Sequence, residues 1–501
     1  MLELIATIFI ISSILIYIYL GWNFNYWKTR GIRGPKPSIL NGNFGKSSRG
    51  ERNFVDELND TYLNYKNNEK FVGIFISRDP KLFIIDPEIA RQILLTNFSS
   101  FYDNESSRWS VPKIELLRMQ SPFVCTGETW KEKRSEIVPA LTMSRLRSSY
   151  PAMQKIAKKL ADFIRSNSGK ELDAKELSCR FTSEVISDFV WGINANAFES
   201  QKVCQIHEIA NGMISQSQKC VGYYQKTEAW PFLRKLMPQR FFPKASDDFF
   251  TQLTNNLISH RLENPNERFD FINHLISLSN KKSLTAPQLA GHCTTVLVDG
   301  FESAAIAISH CLLLLGRNKS AQEKLRNEIM ESFDDGENDI SFEKLNELPY
   351  LDQCIYETLR IFPPLPVFRK FCTSPTILEN SDGCKIRLKP GDSVFISAYS
   401  FHKDEEIFEN PEEFRPERFD PDVGGYRKYR ESGVFLPFGD GPRMCLGLKL
   451  GLLETKVSVA EIVRNFQISV SSSTRLDNLT DPNGFLLSVK GGIILNFTPL
   501  K

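Results

Sequence analysis

The decapeptide Phe438-Gly439-Asp440-Gly441-Pro442-Arg443-Met444-Cys445-Leu446-Gly447 decides how this chain is read. It sets one of ten cysteines in a glycine-rich loop beside an arginine, just before a helical run that begins at Leu446. Gly439, Gly441 and Gly447 permit backbone conformations and close approaches that side chains would block, and Pro442 stiffens the turn. At the positive end of a helix, Cys445 has backbone N–H groups able to favour its thiolate, so metal ligation is the expected role. A phosphate cradle is a poor fit, because Gly439-x-Gly441 is followed by Met444 and not by the third glycine of G-x-G-x-x-G. An inert buried thiol would want apolar neighbours and less glycine.

Working outward, 501 residues suffice for two or three average domains or one large enzyme domain with an internal pocket. A net charge of +2 carries no argument for nucleic acid. No two cysteines form C-x-x-C, and the six histidines show neither H-E-x-x-H nor C₂H₂ spacing, so zinc is unsupported and a reducing, cytosol-facing compartment is expected. The N-terminus departs from this average. Residues 4–20 are almost wholly apolar and long enough to cross a bilayer. Glu3 precedes the run and Lys28, Arg30 and Arg33 follow it, which places the rest of the chain in the cytosol. A cleaved signal peptide would need a basic start and a small-residue cleavage site, and neither is evident. The expected division is an anchor at 1–22, a Pro/Gly linker at 23–37 (ending Gly34-Pro35-Lys36-Pro37) and one domain at 38–501.

Strand patterns at 73–76 and 81–85 flank the turn former Asp79-Pro80, and Asp86-Pro87 opens a helix over 88–95. From about 130 to 369 helical periodicity dominates, with segments at 153–166, 181–190, 249–261, 271–278 and a long one at 286–315. Strands return at 386–388 and 393–396, a helix runs over 446–466, and 485–497 reads as a hairpin around Gly491-Gly492. The expected fold class is mainly α with small β-sheets (α+β).

The loop resembles the haem-binding signature of the cytochrome P450 monooxygenases, F-x-x-G-x-R-x-C-x-G. Phe438, Gly441, Arg443, Cys445 and Gly447 fill every specified position. The resemblance implies a single haem-thiolate monooxygenase domain behind an N-terminal transmembrane helix, with Cys445 as axial ligand of haem b iron. Tyr356-Glu357-Thr358-Leu359-Arg360 puts Glu357 and Arg360 on one helix face, and Phe414-Arg415-Pro416-Glu417-Arg418-Phe419 resembles the family's P-E-R-F segment. Glu357, Arg360 and Arg418 are thereby assigned to a buried scaffold network. Trp130 and Arg134, four apart, match the W-x-x-x-R that holds a haem propionate, and Arg369 and Arg443 are further propionate candidates by analogy.

Asp299-Gly300-Phe301-Glu302-Ser303 resembles the oxygen-activation motif [AG]-G-x-[DE]-[TS]. Gly300 would leave a groove for dioxygen, and Glu302 with Ser303 would relay protons. Asp299 stands where Ala or Gly is usual, and Ser303 replaces the commoner Thr. Asp299 either faces the pocket and favours a cationic or hydrogen-bond-donating substrate, or turns away from it. Thr126-Gly127-Glu128, Phe401-His402-Lys403-Asp404 and Gly484-Phe485-Leu486-Leu487-Ser488 extend the match, in wording similar to microsomal arthropod members of the family associated with xenobiotic metabolism.

The family implies O₂ and a lipophilic small molecule as substrates, and an endoplasmic reticulum membrane setting with the catalytic domain cytosolic. The chain carries no nicotinamide or flavin fingerprint, so NADPH is expected to act only through a separate haemoprotein reductase, with cytochrome b5 as an optional second partner. Lys131, Lys133, Arg427, Lys428, Arg430 and Lys449 are the basic residues expected on the docking face. Competing readings are an electron-independent haem-thiolate isomerase or dehydratase and a non-catalytic haem or ligand-binding relative.

Overall fold

The structure is a computed structural model that describes residues 1–200, 202–265, 268–333 and 339–500. Its axis is the helix Ala286–Arg317, a span of about 48 Å at 1.5 Å per residue. Thr285 and Gln288 close a capping box at its start, and Asn318 ends it. Apolar residues lie all round it, as expected of a helix surrounded by protein. The helices Ala174–Trp191, Lys244–Glu263 and Leu448–Asn465 pack against it, and Met143–Ser166 packs on the first and last of these.

Several helices begin before the apolar periodicity does. The helix expected at 181–190 begins at Ala174 because the Asp173 carboxylate accepts hydrogen bonds from the Lys175 and Glu176 N–H groups. The one expected at 153–166 begins at Met143 and runs through Pro151, which offers no N–H to the turn before it. The segment after Asp86 is α-helical only over Pro87–Arg91 and continues as a π turn over Gln92–Thr96.

The larger sheet has five strands in the order Phe71–Ile76, Asp79–Ile84, Ser393–Ser397, Val367–Phe371 and Asp103–Asn104. The pairing of Asp79–Ile84 with Ser393–Ser397 is parallel and the other pairings are antiparallel. Asp79 and Pro80 belong to the second strand, and the turn falls instead on Ser77-Arg78, with Ser77 at φ 54°. The tail is not a hairpin around Gly491-Gly492. Ile494–Pro499 pairs with Phe466–Val470 and with Leu172–Asp173, burying Leu495 and Phe497 against distant strands.

The first helix, Leu2–Gly21, is exposed along almost its whole apolar length, as suits a membrane anchor. Residues 23–37 are packed onto the sheet. The Trp27 ring lies on Gly73 and its indole N–H donates to the Ile74 carbonyl at 3.1 Å, while the Gly73 N–H donates to the Arg33 carbonyl at 2.8 Å. A β-carbon at Gly73 would overlap the Trp27 ring. Gly73→Ala should therefore cost about 3 kcal/mol by overpacking, and Trp27→Leu in the same chain should recover part of it. Urea unfolding of the single and double variants checks this.

Candidate functional site

The central helix is buried on nearly every side over 289–297 and 304–316, yet Val298, Asp299, Gly300 and Ser303 between those stretches stay accessible. Cys445 is accessible too. Nevertheless burial is the main influence on both acids, raising the Asp299 carboxyl to about 7 and the Cys445 thiol to about 11. Asp299 is also close enough for its charge to act on the sulfur. Groups that are accessible yet enclosed by protein face an internal hollow, here lying between the central helix and the cysteine loop.

The loop is built for close approach. The Cys445 N–H donates to the Phe438 carbonyl at 2.9 Å. Gly441, at φ 71°, has no room for a β-carbon against the Leu94 carbonyl, and one at Gly439 would sit 3.3 Å from the Phe368 ring. A β-carbon on Gly447 would meet nothing within 4 Å, so that backbone borders open space. The N–H groups of Gly447 and Leu448 favour the thiolate, as the helix-end argument expects, but burial outweighs them. The sulfur therefore needs a bound cation to be held as thiolate.

Arg369, on the strand Val367–Phe371, has a buried Nη1 with no hydrogen-bond partner; its guanidinium lies 5.0 Å from the Phe54 ring and 5.2 Å from that of Phe395. A buried guanidinium with an open donor suits an anionic group. Arg134 donates from Nη1 to the Met444 carbonyl at 2.9 Å, joining the helix Gly127–Ile137 to the cysteine loop, and Cys445 influences its charge. Trp130 is buried between Phe98, Tyr102 and the Arg443 guanidinium, the last at 4.4 Å. Arg443 uses four of its five N–H donors: Nε donates to the Tyr102 carbonyl, Nη1 to that of Pro122, and Nη2 to the Asp103 carboxylate and the Cys125 carbonyl. It therefore fastens the 102–125 segment to the loop and keeps one Nη1 donor for an anionic group. Hollow, thiol, open glycine backbone and unsatisfied guanidinium together fit a haem with Cys445 as ligand.

Across the hollow, Ser303 Oγ donates to the Asp299 carbonyl at 2.6 Å, one helical turn back. Glu302 points elsewhere. It is buried, with Oε1 2.5 Å from Lys175 Nζ and Oε2 without a partner. The missing β-carbon of Gly300 faces Ile186 Cδ1 at 2.9 Å, so on that side Gly300 allows close packing with Ala174–Trp191, while the residue itself stays partly accessible.

Comparison with known proteins agrees with this geometry. Residues 32–496 match the family described as Cytochrome P450. The chain belongs to the cytochrome P450 family. It is 39% identical over 500 residues to the Drosophila melanogaster protein named Probable cytochrome P450 28d1, covering 98% of each chain. It is 38% identical to Probable cytochrome P450 28a5 of the same organism, with 97% of each covered. With Cytochrome P450 6a2 of that fly the identity is 31% over 99% of each. The arthropod resemblance read from the motifs therefore holds.

In this cytochrome P450 the scaffold network forms as expected. Arg360 donates to both Glu357 oxygens, at 2.7 and 2.9 Å, and to the carbonyls of His402, Pro411 and Glu413. Arg418 Nε reaches Glu357 Oε1 at 3.1 Å. His402 completes the cluster: Nε2 accepts the Leu436 N–H at 3.0 Å, so Nδ1 carries the proton and donates to the Arg360 carbonyl at 3.1 Å. One proposed docking residue is misplaced. Lys133 is buried against Glu136 at 3.1 Å, whereas Lys131, Arg427, Lys428 and Lys449 are exposed and Arg430 is partly so. Sequence reading also missed Lys175 and Arg118, the cations facing Glu302 and Asp299. Neither belongs to a local motif, since each is far along the chain from its partner.

Proposed function

We propose that this cytochrome P450 inserts one oxygen atom of O₂ into a lipophilic small molecule. Its electrons would come from NADPH through a separate flavoprotein reductase, with cytochrome b5 as an optional second donor. The exposed apolar helix Leu2–Gly21 supports attachment to the endoplasmic reticulum membrane with the domain in the cytosol. The observation that carries the reading is the hollow itself, with a cysteine sulfur on one wall and Asp299 and Ser303 on the other.

Haem b held there would supply an iron able to activate dioxygen, and a thiolate ligand would push electron density onto it. Cys445 provides that ligand, with the Gly447 and Leu448 N–H groups stabilising its charge. Arg369, Arg134 and the remaining donor of Arg443 would neutralise propionates, while Trp130 packs against the Arg443 guanidinium. The Ser303 hydroxyl donates its hydrogen bond to the Asp299 carbonyl, so its oxygen would act as an acceptor toward a proton-carrying water in the hollow. Glu302, backed by half-exposed Lys175, offers a route by which protons reach that helix turn from outside.

The test is reconstitution of the full chain with haem, reductase and NADPH against a panel of lipophilic compounds. Substrate-dependent NADPH oxidation with oxygenated product is expected, and Cys445→Ala should reduce it below detection and abolish the thiolate-type haem spectrum. Product formation without electrons, or turnover retained in Cys445→Ala, overturns the proposal.

A further inference from the structure

The hollow holds one ionisable group that the scheme above leaves without a task. Asp299 is accessible on its wall, and its carboxylate has no hydrogen-bond partner among the described residues, although its backbone carbonyl accepts from Ser303. Among the described residues, the one cation whose charge reaches it is Arg118. That guanidinium is committed to Ser110 Oγ, to Glu115 at 3.7 Å and to the face of Phe241 at 3.7 Å. The polar residues one turn away on the Asp299 helix are otherwise engaged: Thr295 donates to the Gly291 carbonyl, Ser303 to the Asp299 backbone carbonyl, and Glu302 pairs with Lys175. A carboxylate enclosed without a partner is costly, and a ligand that brings a positive charge removes that cost.

We propose that Asp299 is a specificity-determining residue that selects lipophilic substrates carrying a cationic nitrogen and pairs with that nitrogen in the hollow. This rests on the monooxygenase reading for the location of the substrate, and it adds the substrate's chemical class. Asp299 shares a wall with Ser303 and faces Cys445 across the hollow, so a cation paired there places the substrate carbons next to it beside the reacting centre. A neutral lipophile gains only apolar burial and leaves the carboxyl unpaired. The ion pair is shielded from bulk water, so its contribution exceeds that of an exposed pair.

The test compares (4-phenylbutyl)trimethylammonium with its carbon isostere 2,2-dimethyl-6-phenylhexane. The two have nearly the same shape, and the quaternary nitrogen can neither lose its charge nor coordinate iron. Binding to the haem-loaded full chain is measured by calorimetry and by the haem difference spectrum. It is done at pH 8, above the value of about 7 to which burial raises Asp299. Wild type should prefer the cation, and Asp299→Asn should lower the ratio of the two affinities by about tenfold, or about 1.4 kcal/mol. Asp299→Glu should restore part of the preference. Asp299→Ser replaces the Asn variant if that fails to load haem. An affinity ratio unchanged within about twofold, or a wild type that binds the neutral isostere better, overturns the proposal. A chain that never acquires a thiolate-type haem spectrum refutes the monooxygenase reading instead, so the two failures are distinct.

Discussion

Glu357→Ala is expected to lose about 3–5 kcal/mol of stability and most of its haem. The carboxylate has three donors: Arg360 through two nitrogens, Arg418 Nε at 3.1 Å and the Arg415 N–H at 3.0 Å. Glu357 and Arg360 are completely buried and Arg418 almost so. Removing the one anion leaves two guanidinium groups facing each other without solvent. Carbonyl acceptors from His402, Pro411 and Glu413 keep Arg360 hydrogen-bonded but do not cancel its charge. Glu357→Gln is therefore expected to recover only part of the loss. Urea unfolding followed by circular dichroism, with haem content measured in parallel, checks both. A loss below about 1 kcal/mol in the alanine variant contradicts a cooperative buried network.

His402→Gln should show a stability deficit that shrinks as the solution is acidified. His402 is buried, and burial with the adjacent Arg360 charge lowers it to about 3. The unfolded chain takes up this proton below about pH 6.5 and the folded one does not. Wild type therefore loses stability through His402 as pH falls from about 6.5 toward 3, at about 1.4 kcal/mol per unit. Glutamine has no such proton. At pH 7.5 the variant should be the weaker protein, because one amide replaces both imidazole bonds imperfectly. By pH 4 it should have regained about 3 kcal/mol relative to wild type. Buried acids raised in the fold, such as Glu228 and Asp247, shift both proteins alike and drop out of the difference. Unfolding curves for the pair between pH 4 and 7.5 measure it, and parallel pH dependences contradict it.

Much of this protein was legible in the chain because its motifs are local. The cysteine loop turns at Gly439 and Gly441 with φ 69° and 71°, a local backbone requirement for glycine, and Glu357 with Arg360 lies on one helix turn. The P-E-R-F segment supplies Arg418 as expected. What escaped depended on contacts between distant segments. Glu302 cannot be seen to face Lys175, 127 positions away, without the packing of two helices. The approach of Ile186 to Gly300 is likewise a contact between those two helices. Lys133 looks like a surface charge until its helix face is known to be buried. The tail's apolar alternation is real, but its partner is Phe466–Val470 rather than itself. A cap explains one helix start that periodicity placed too late, that of Ala174–Trp191 at Asp173.

Arg443 gives the architecture a mechanical property. Two residues before Cys445, one side chain holds four points between Tyr102 and Cys125. The segment so held includes Leu117 and Gln120, which press against Gly291 of the central helix. The sulfur-bearing loop and one wall of the hollow are thus riveted into a single part. Four hydrogen bonds would have to break before that wall and the loop could shift apart, so one side chain sets the spacing between the wall and the Cys445 sulfur.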